Sequence, residues 1–327
     1  MLFPSSHPED ALEVVLLMNM KGRHLITMEE FSREEIHLIL DQAYDFKKKR
    51  YTGQYLTDSL HNRSVAMIFE KPSTRTRVST EVAITELGGK SLYLSANDIQ
   101  LTRGETIEDT ARVLARYVSG IVARLGSHDT ILKLAEYSKV PVINALTPLH
   151  HPMQILADLM TIKEKKGKLE GLKLAFVGDG NNICHSLLIG CSLVGMNISV
   201  GTPRGYEPNA EIVKSAEKYA KLGGSEVAVL NDPVQAVRDA DVIYTDVFVS
   251  MGQEAESQER LRVFPPFQVN KKLTSNANEG YIFMHCLPAH RGQEVTADVI
   301  DDPAHSVVWD EAENRLHTAK SIVAYLV

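Results

Sequence analysis

The fold is decided by one stretch, Val65-Ala-Met-Ile-Phe-Glu-Lys-Pro-Ser-Thr-Arg-Thr-Arg77. Residues 65–69 are apolar and predict a buried strand, and a helical pattern begins after the turn at Pro72. Ser73 occupies the position expected for the N-cap of that helix. The first helical turn would combine hydroxyl and guanidinium groups with unpaired backbone N–H groups, and such a helix end favours anions. The stretch therefore predicts a phosphate site at a strand–turn–helix junction, the alternative being a capped helix with solvated arginines.

The alternation of strand and helix continues along the chain. Further strands are predicted at 91–94, 120–124, 140–144, 172–177, 197–201, 226–230, 242–245 and 281–285. Helices are predicted at 30–48, 74–87, 106–117, 129–138, 152–166, 183–194, 208–222 and 313–326. The helix at 30–48 follows an S/T-x-x-E-like start at Thr27. Strands that alternate with helices imply parallel sheets covered by helices on both faces, so the predicted fold class is α/β.

Length and local composition predict two domains. At 327 residues the chain is long for one domain. The helix at 152–166 ends in a charged stretch, 163–168, that contains a glycine and is typical of a domain boundary. We predict a first domain over 1–165, in which residues 1–19 are an N-terminal extension, and a second domain over 166–327. Each would hold a doubly wound parallel sheet, and long helices would join the two.

Composition and charge are typical of a soluble globular protein, with 44% hydrophobic and 24% charged residues. The formal net charge of −7 argues against nucleic acid or an anionic membrane as the main partner. No apolar run is long enough to cross a membrane. The start carries Glu9 and Asp10 but no early basic residue, unlike a signal or transit peptide. We therefore expect a cytoplasmic location.

Cysteine usage fits the same compartment. The cysteines are Cys184, Cys191 and Cys286, and they form no C-x-x-C pair. An odd number without such a pair indicates neither a disulfide framework nor a zinc ribbon. A reducing cytoplasm is consistent with this pattern, and no metal site is predicted.

Polar residues follow strands in the first half of the chain. Arg124 closes the buried strand 120–124, where a charge is more often functional or paired than idle. His151 and Gln154 lie three positions apart on one face of the first turn of the helix at 152–166. A histidine can polarise a carbonyl, and a glutamine can accept from an NH2 group while donating elsewhere. The alternative for His151 is a simple helix cap.

The loop after the strand at 172–177 reads G-D-G-N-N and is open to two interpretations. G-x-G after a strand is half of a dinucleotide fingerprint, but the third glycine would fall at Ile183. The next strand ends in Gly201-Thr202, without an acidic residue for a ribose. The loop still lies where parallel sheets bind ligands, and Asn182 can donate from its amide to a carboxylate. The alternative is a tight turn with an N-cap.

Two later strands also end in polar side chains. Asp246 is followed by Ser250-Met251-Gly252 in one loop, and its carboxylate suits an amino group, although a turn aspartate is the alternative. His285-Cys286-Leu287-Pro288 ends another strand and hints at a thiol nucleophile. Neighbouring side chains of a strand point to opposite faces, which argues against a Cys–His dyad here. Arg315 is either a surface cap or a further cation of the site.

Together these motifs resemble the aspartate/ornithine carbamoyltransferase family from about Met20 to Val327. The motifs similar to its carbamoyl-phosphate half are S-T-R-T at 73–76, Arg124 and H-P-M-Q at 151–154. The motifs similar to its ornithine branch are Asn182, D-x-x-x-S-M-G at 246–252 and H-C-L-P at 285–288. E-N-R at 313–315 matches the entry to the last helix of the family. The sequence departs from the family pattern in the extension before Met20 and in the variable residues Pro72 and Met153.

The resemblance implies transfer of the carbamoyl group of carbamoyl phosphate to the δ-amine of L-ornithine, which gives citrulline and phosphate. It implies carbamoyl-phosphate binding by Ser73, Thr74, Arg75, Thr76, Gln100, Arg124, His151, Gln154, Cys286, Leu287 and Arg315. It implies ornithine binding by Asn182, Asp246, Ser250 and Met251. The residues implied in catalysis are Arg124, His151 and Cys286. No metal or organic cofactor is required by this reaction.

The resemblance also implies an assembly. The segment 95–104 is polar, is expected to be an irregular loop and follows a strand, so it can reach outward. In the family this loop reaches the phosphate site of the neighbouring subunit, and Gln100 is the matching residue. A homotrimer or a multiple of it is therefore expected. The last helix, 313–326, would pack back toward the first domain.

Other functions stay open at this point. Among carbamoyltransferases, putrescine and N-acetylornithine are alternative acceptors. A nicotinamide-dependent dehydrogenase is disfavoured by the missing third glycine at Ile183. A non-catalytic amino-acid-binding protein could also consist of two α/β lobes, but it would not need the phosphate site at 73–76.

Overall fold

The computed structural model describes residues 20–250 and 254–327. The extension before Met20 and the predicted ligand Met251 lie outside the described residues. The chain divides into two compact units. The first unit comprises the described residues up to Thr147 together with Leu316–Val327, and the second comprises Pro148–Arg315. The functional boundary near residue 165 stays a prediction.

The first unit is built on a four-stranded parallel sheet. Its strands are β1 (Ser64–Phe69), β2 (Lys90–Ser95), β3 (Gly120–Arg124) and β4 (Val142–Leu146), in the spatial order β2-β1-β3-β4. Its helices before the last one are α1 (Arg33–Tyr51), α2 (Thr74–Glu86), α3 (Ile107–Leu114) and α4 (His128–Tyr137). The strands read as continuous apolar runs because both faces of a parallel sheet are covered.

The second unit repeats this plan with five parallel strands. They are β5 (Lys173–Val177), β6 (Asn197–Gly201), β7 (Val227–Leu230), β8 (Val242–Thr245) and β9 (Ile282–Met284), in the spatial order β7-β6-β5-β8-β9. Its helices are α5 (Pro152–Lys166), α6 (Asn182–Leu193), α7 (Ala210–Gly223), α8 (Pro233–Val237), α9 (Ser257–Val263), α10 (Lys271–Thr274) and α11 (Ala297–Ile300). The prediction of two doubly wound parallel sheets is thereby confirmed.

The start of α1 differs from the sequence prediction. The helix begins at Arg33, because Ser32 and Glu35 form a capping box. The Ser32 hydroxyl accepts from the Glu35 N–H at 3.2 Å, and the Glu35 carboxylate accepts from the Ser32 N–H at 2.9 Å. Thr27 instead belongs to the preceding turn, where its N–H donates to the Glu30 carboxylate at 2.7 Å. The predicted helix start at Glu30, after a start signal at Thr27, was therefore three residues too early.

The last helix, α12 (Val308–Leu326), supplies residues to both units, and its C-terminal part completes the first one. Lys320 is only 1% exposed, and its ammonium pairs with the Glu86 carboxylate at 3.2 Å. The hydroxyl of Ser321 donates to the carbonyl of Ile39 at 2.8 Å. Residues from the end of the chain are thus fixed against helices near its start. None of the helices in the described part of the chain has the length and apolar character needed to cross a membrane.

Candidate active site

Each sheet has one point at which the strand order reverses. In the first unit β2 lies on one side of β1 and β3 on the other, so this point is between β1 and β3. In the second unit it is between β5 and β8. Ligands of open parallel sheets bind beyond the carboxyl ends of the strands at such points. The segment 73–76, Arg124, Asn182 and Asp246 lie at or after the ends of these four strands, whereas Gln100, His151 and Cys286 follow β2, β4 and β9.

The turn after β1 leads directly into the first turn of α2. Ser73 is the N-cap residue by its extended backbone (φ −156°, ψ 114°), but its hydroxyl makes no capping hydrogen bond. The prediction is therefore right about the position and wrong about the side-chain cap. Thr74 is exposed, and Thr76 is buried at 2% exposure. The helix end thus presents backbone N–H groups that its own cap residue does not use.

The two arginines of this turn have different surroundings. Arg77 pairs with Glu81 at 3.0 Å, and its guanidinium lies 3.5 Å from the centre of the Tyr93 ring. Arg75 is half-buried, and the structure gives it no hydrogen bond or ion pair with another described residue. Arg77 therefore has a structural explanation within the unit. Arg75 retains a guanidinium that can take an anion as its partner.

Arg124 ends β3 beside the same turn. It is 6% exposed, and its register partner across the sheet is Phe69, the last residue of β1. The backbone N–H of Glu70 donates to the carbonyl of Arg124 at 3.0 Å, and the Glu70 carboxylate accepts from the Gly126 N–H at 2.5 Å. These bonds tie the ends of the two strands together, so the Arg124 side chain starts beside the helix end that follows β1.

Gln100 lies in the segment after β2, which is more ordered than the predicted irregular loop. Two short 3-10 helices, Ala96–Asp98 and Gln100–Arg103, form this segment. The Gln100 side chain is exposed. It is therefore available to a partner outside its own chain, as the sequence analysis expects.

In the second unit, α5 begins at a buried histidine. His151 is the N-cap residue, and its backbone N–H donates to the Ser186 hydroxyl at 2.8 Å. Gln154 is buried one turn later, and its Nε2 donates to Asp158 Oδ1 at 2.8 Å and to Glu311 Oε1 at 3.1 Å. Its Oε1 accepts from the guanidinium of Arg315. The NH2 group of Gln154 is thus fully engaged with two carboxyl groups, and its oxygen lies beside the Arg315 guanidinium.

The glycines of the G-D-G-N-N loop have a structural explanation. Gly178 has φ +146°, a backbone conformation that other residues rarely adopt. A Cβ on Gly180 would lie 2.3 Å from the backbone nitrogen of Pro208, so only glycine fits there. Backbone conformation and close backbone contact therefore explain why both positions of the G-x-G pattern are glycine, and a dinucleotide site is not needed to explain them.

The helix after this loop begins one residue earlier than predicted, at Asn182 and not at Ile183. Asn181, not Asn182, is the N-cap of α6, with Oδ1 accepting from the N–H groups of Ile183 at 3.0 Å and Cys184 at 3.1 Å. Its Nδ2 donates to Asp246 Oδ2 at 2.7 Å. Asn182 is the first residue of the helix and is half-buried. The amide that donates to the Asp246 carboxylate is therefore that of Asn181, which was not among the predicted site residues.

Asp246 is a buried acceptor at the end of β8. Its Oδ1 accepts from the Val247 N–H at 2.8 Å and from the Cys286 thiol at 3.2 Å. The Ser250 hydroxyl accepts from the Asn181 amide at 3.4 Å, on the same nitrogen that holds Asp246. The end of β8 is thus connected to the loops after β5 and β9. A carboxylate fixed by three donors can bind an amino group.

His285 and Cys286 have separate partners, as the alternation of a strand predicts. His285 is buried, with Nδ1 accepting from the Leu287 N–H at 2.9 Å and Nε2 lying 3.2 Å from Glu294 Oε1. Burial and the neighbouring Asp246 carboxylate raise the pKa of the Cys286 thiol well above its usual value. Cys286 is therefore a neutral donor to Asp246, and it is not activated as a thiolate nucleophile.

The same three residues could be read as a metal site. Ligand atoms of Asp246, His285 and Cys286 lie within 4.8 Å of one another. Both ring nitrogens of His285 already take part in hydrogen bonds, and the thiol resists ionisation. A cation would have to displace these bonds and deprotonate the thiol. The arrangement is better explained as a hydrogen-bonded support for the residues that follow β9.

Several residues of the site escaped sequence reasoning. They are Asp158, Asn181, Tyr244, Glu294 and Glu311, and all five are buried. Tyr244 donates to Glu311, and the other four are hydrogen-bonded to residues that were singled out. The available signal was a charged residue at a helix position that the apolar pattern predicts to be buried, as at Asp158. Charged side chains are rarely fully buried without a paired partner.

Comparison with known proteins gives a consistent result. Two family models match, described as aspartate/ornithine carbamoyltransferase, carbamoyl-P binding domain (residues 23–164) and Asp/Orn binding domain (residues 170–326). An ornithine carbamoyltransferase of Pyrococcus horikoshii is 55% identical over 95% of this chain and 98% of its own length. One of Bacillus subtilis is 50% identical over 95% of this chain and 96% of its own length. The solved ornithine carbamoyltransferase of Pyrococcus furiosus superposes with a TM-score of 0.91 at 55% identity, covering 94% of this chain and 97% of that one.

Proposed function

Since the chain belongs to the aspartate/ornithine carbamoyltransferase family, we propose that it transfers the carbamoyl group of carbamoyl phosphate to the δ-amine of L-ornithine. The products are citrulline and phosphate. The observation that carries the choice of ornithine is the buried Asp246 carboxylate, held by Asn181 and Cys286 at the reversal point of the second sheet. The ornithine carbamoyltransferases at 50–55% identity support the same acceptor.

The proposed reaction needs a site for the departing phosphate. The δ-nitrogen of ornithine forms a bond to the carbonyl carbon, and the bond from that carbon to the phosphate oxygen breaks. Ser73, Thr74, Arg75, Thr76 and the N–H groups at the start of α2 would bind the phosphate. A helix N-terminus with an arginine fork suits a dianion, because it combines free donors with fixed positive charge.

The carbonyl oxygen gains negative charge during the attack. Thr76, Arg124 and His151 would donate to it, and donors that are fixed in advance stabilise such an oxyanion most effectively. The carbamoyl NH2 group would donate to Gln154 Oε1 and to the backbone carbonyls of Cys286 and Leu287, beside Arg315. Gln154 suits this role because its own NH2 group is already engaged.

The acceptor needs a recognised amino-acid end and a neutral δ-amine. Asn182, Ser250 and Met251 would bind the α-carboxylate, and Asp246 the α-ammonium. By analogy with lysine, the δ-amine is mostly protonated at neutral pH, so binding must select its neutral form. Cys286 and Asp246 would lie near this amine. The chemistry uses no redox step and no metal-bound water, so we propose that it needs no metal and no organic cofactor.

Each of the two domains is proposed to bind one of the two substrates. We propose that the first domain, over 1–165, binds carbamoyl phosphate and that the second, over 166–327, binds ornithine. The two family models, which end at residue 164 and begin at residue 170, support this boundary. We also propose that the enzyme is cytoplasmic, because both of its proposed substrates are small water-soluble metabolites.

The proposed function predicts that the purified protein forms citrulline from carbamoyl phosphate and L-ornithine. Putrescine lacks the α-carboxylate, and N-acetylornithine lacks the free α-ammonium, so both should be poorer acceptors. We would measure kcat/KM for the three amines at a fixed carbamoyl phosphate concentration. If putrescine or N-acetylornithine equals ornithine, the substrate assignment is wrong, although a carbamoyltransferase remains. If no amine is carbamoylated, the whole proposal fails.

A homotrimer, or a multiple of it, is the proposed assembly, with Gln100 of one subunit serving the phosphate site of the next. Mixing Gln100→Ala chains with Arg75→Ala chains should then restore activity, because some sites draw both intact residues from different chains. Random mixing in equal amounts should restore at most about a quarter of the wild-type activity. Each variant refolded alone is the control. Full activity of a dilute, verified monomer would contradict shared sites.

A further inference from the structure

Two buried carboxyl groups lie beside the residues proposed to hold the carbamoyl group, and the proposed mechanism leaves them without a role. Asp158 is in α5 and Glu311 is in the first turn of α12, with exposed fractions of 0% and 1%. Both belong to the second unit. Burying two carboxylates side by side is unfavourable unless protons, cations or donors compensate for the lost hydration.

The pair determines the orientation of Gln154. Its Nε2 donates to Asp158 Oδ1 at 2.8 Å and to Glu311 Oε1 at 3.1 Å, which uses both amide protons. A flipped amide would place its oxygen against two carboxyl oxygens. The Oε1 atom is therefore held toward Arg315.

Glu311 extends the same control to the end of β9. Its Oε2 accepts from the backbone N–H of His285 at 2.9 Å, and its Oε1 also accepts from the Tyr244 hydroxyl at 3.1 Å. His285 immediately precedes Cys286 and Leu287, whose carbonyls are proposed to face the carbamoyl NH2 group. One carboxyl group thus orients a side-chain acceptor and anchors the backbone acceptors.

The charges around the pair leave room for one proton. Arg315 is the cation that acts on Asp158, so two ionised carboxylates would exceed it by one negative charge. Both carboxyl groups accept from the same nitrogen, Nε2 of Gln154, and the charge of Asp158 disfavours a second charge on Glu311. Within the described residues no donor reaches Oδ2 of Asp158. Full ionisation of the pair is therefore disfavoured by its contacts.

Among the described residues, three other titratable groups interact with the pair, and none of them supplies positive charge. They are Tyr244, Cys191 and Cys286. Burial raises the pKa of Tyr244 and of both thiols, so these three stay neutral. Burial also raises the pKa of Asp158 to about 7, and burial together with the charge of Asp158 raises that of Glu311 well above its usual range. Between these two ionisations the pair carries a single proton.

We propose that Asp158 and Glu311 share one proton and, as a singly charged pair, position Gln154 and Arg315 for the carbamoyl group of the substrate. Neither residue touches the reacting atoms, so both are positioning residues. This inference rests on the proposed carbamoyl transfer. It adds that the oxygen atoms proposed to accept from the carbamoyl NH2 group are positioned correctly only when Asp158 and Glu311 together hold one proton.

Two replacements of Asp158 separate positioning from packing. Asp158→Asn can still accept from Gln154 and can donate to Glu311, so it imitates the protonated residue, and KM for carbamoyl phosphate should stay within a few fold. Asp158→Ala leaves an amide N–H of Gln154 unsatisfied, and this KM should rise on the order of 10- to 100-fold. KM for ornithine should change little in both variants. Thr161→Val is the matched control, because it removes a buried contact between the same helices, to Asn314 at 2.9 Å. Equal behaviour of Asp158→Asn and Asp158→Ala would overturn the positioning role.

The pH dependence of stability tests the raised pKa of Asp158. Since the folded state holds this proton up to about pH 7 and the unfolded state releases it near 3.8, folded molecules bind more protons between these values. This contribution to the free energy of unfolding is complete below the unfolded pKa and is lost as the pH rises through about 7. The difference between wild type and Asp158→Asn should therefore decline over this range, and it should decline more gradually above pH 7 while the wild-type pair still holds its last proton. A difference that is independent of pH would contradict the raised pKa.

Infrared spectroscopy can detect the shared proton without any substrate. At pH about 8.5, some four units above the ordinary glutamate pKa, exposed carboxyl groups are ionised. Wild-type protein should retain a protonated-carboxyl C=O band at this pH. Asp158→Asn should lose its band at a lower pH than the wild type, because the charge of Asp158, which helps to keep Glu311 protonated, is absent. Absence of the band in the wild type, or a band in Asp158→Asn that persists to the same pH, would overturn the shared proton. The band does not depend on turnover, so an inactive wild type would refute the proposed function and leave this test valid.

Discussion

Replacing Arg75 with alanine is expected to lower kcat/KM for carbamoyl phosphate on the order of a thousandfold. Arg75 lies in the first turn of α2 and makes no bond to another described residue, so its guanidinium can take the phosphate as a bidentate partner. Charge that develops on the departing phosphate makes this contact stronger in the transition state. The loss should therefore appear in kcat as well as in KM. Steady-state citrulline formation, with carbamoyl phosphate varied, measures both.

The same experiment needs proof that Arg75→Ala folds. The variant should unfold at nearly the wild-type temperature, since no described contact is lost. Arg112→Ala is a suitable control, because it removes a helix-borne arginine of the same unit that pairs with Asp109 at 2.9 Å. It should leave turnover almost unchanged, as exposed ion pairs contribute little. A well-folded Arg75→Ala protein with normal turnover would refute the phosphate assignment.

Replacing Asp246 with asparagine is expected to lower kcat/KM for ornithine on the order of a hundredfold or more, with little change in carbamoyl phosphate affinity. The substitution keeps the shape but removes the anion for the α-ammonium. The variant should show a smaller preference for ornithine over N-acetylornithine. N-acetylornithine has no α-ammonium, so the loss of the Asp246 charge should affect it much less. We would measure kcat/KM for both amines, and carbamoyl phosphate binding by calorimetry.

Asp246→Asn also alters contacts within the protein, so its stability must be measured. Asp246 accepts from Asn181, Val247 and Cys286, and an asparagine has only one oxygen for these donors. A lower unfolding temperature is therefore expected, and it does not test whether Asp246 binds the α-ammonium. If the variant keeps the full preference for ornithine over N-acetylornithine, Asp246 is not the ammonium partner.

Local pattern was sufficient for the strands and the long helices of the fold, but it did not predict the short helices α8, α9, α10 and α11. The strand at 120–124 has the predicted bounds, because a short apolar run between turn residues has few alternatives in a parallel sheet. The start of α1 was misplaced, since Thr27 and Ser32 both begin an S/T-x-x-E pattern. Only the contacts of Glu30 and Glu35 decide which of them caps the helix.

Residues of the site were predictable where chemistry follows a strand end, and not where it depends on distant partners. Arg124 is the last residue of β3 and Asp246 directly follows β8, so their place follows from topology. Asn181 was missed because two adjacent asparagines are equivalent in sequence until the helix start selects one as its cap. Asp158 and Glu311 meet across a large separation in sequence, and periodicity carries no information about such a pair.

The contacts of Lys320 and Ser321 have a consequence for the order in which the protein can mature on the ribosome. Domains generally fold as units during synthesis, the N-terminal one first. Here the N-terminal unit includes Leu316–Val327, which are translated after the whole of the second unit, and Lys320 is buried beside Glu86. The nascent chain therefore carries an incomplete N-terminal unit throughout the synthesis of the second one, and the N-terminal unit can be completed only after Leu316–Val327 have been made.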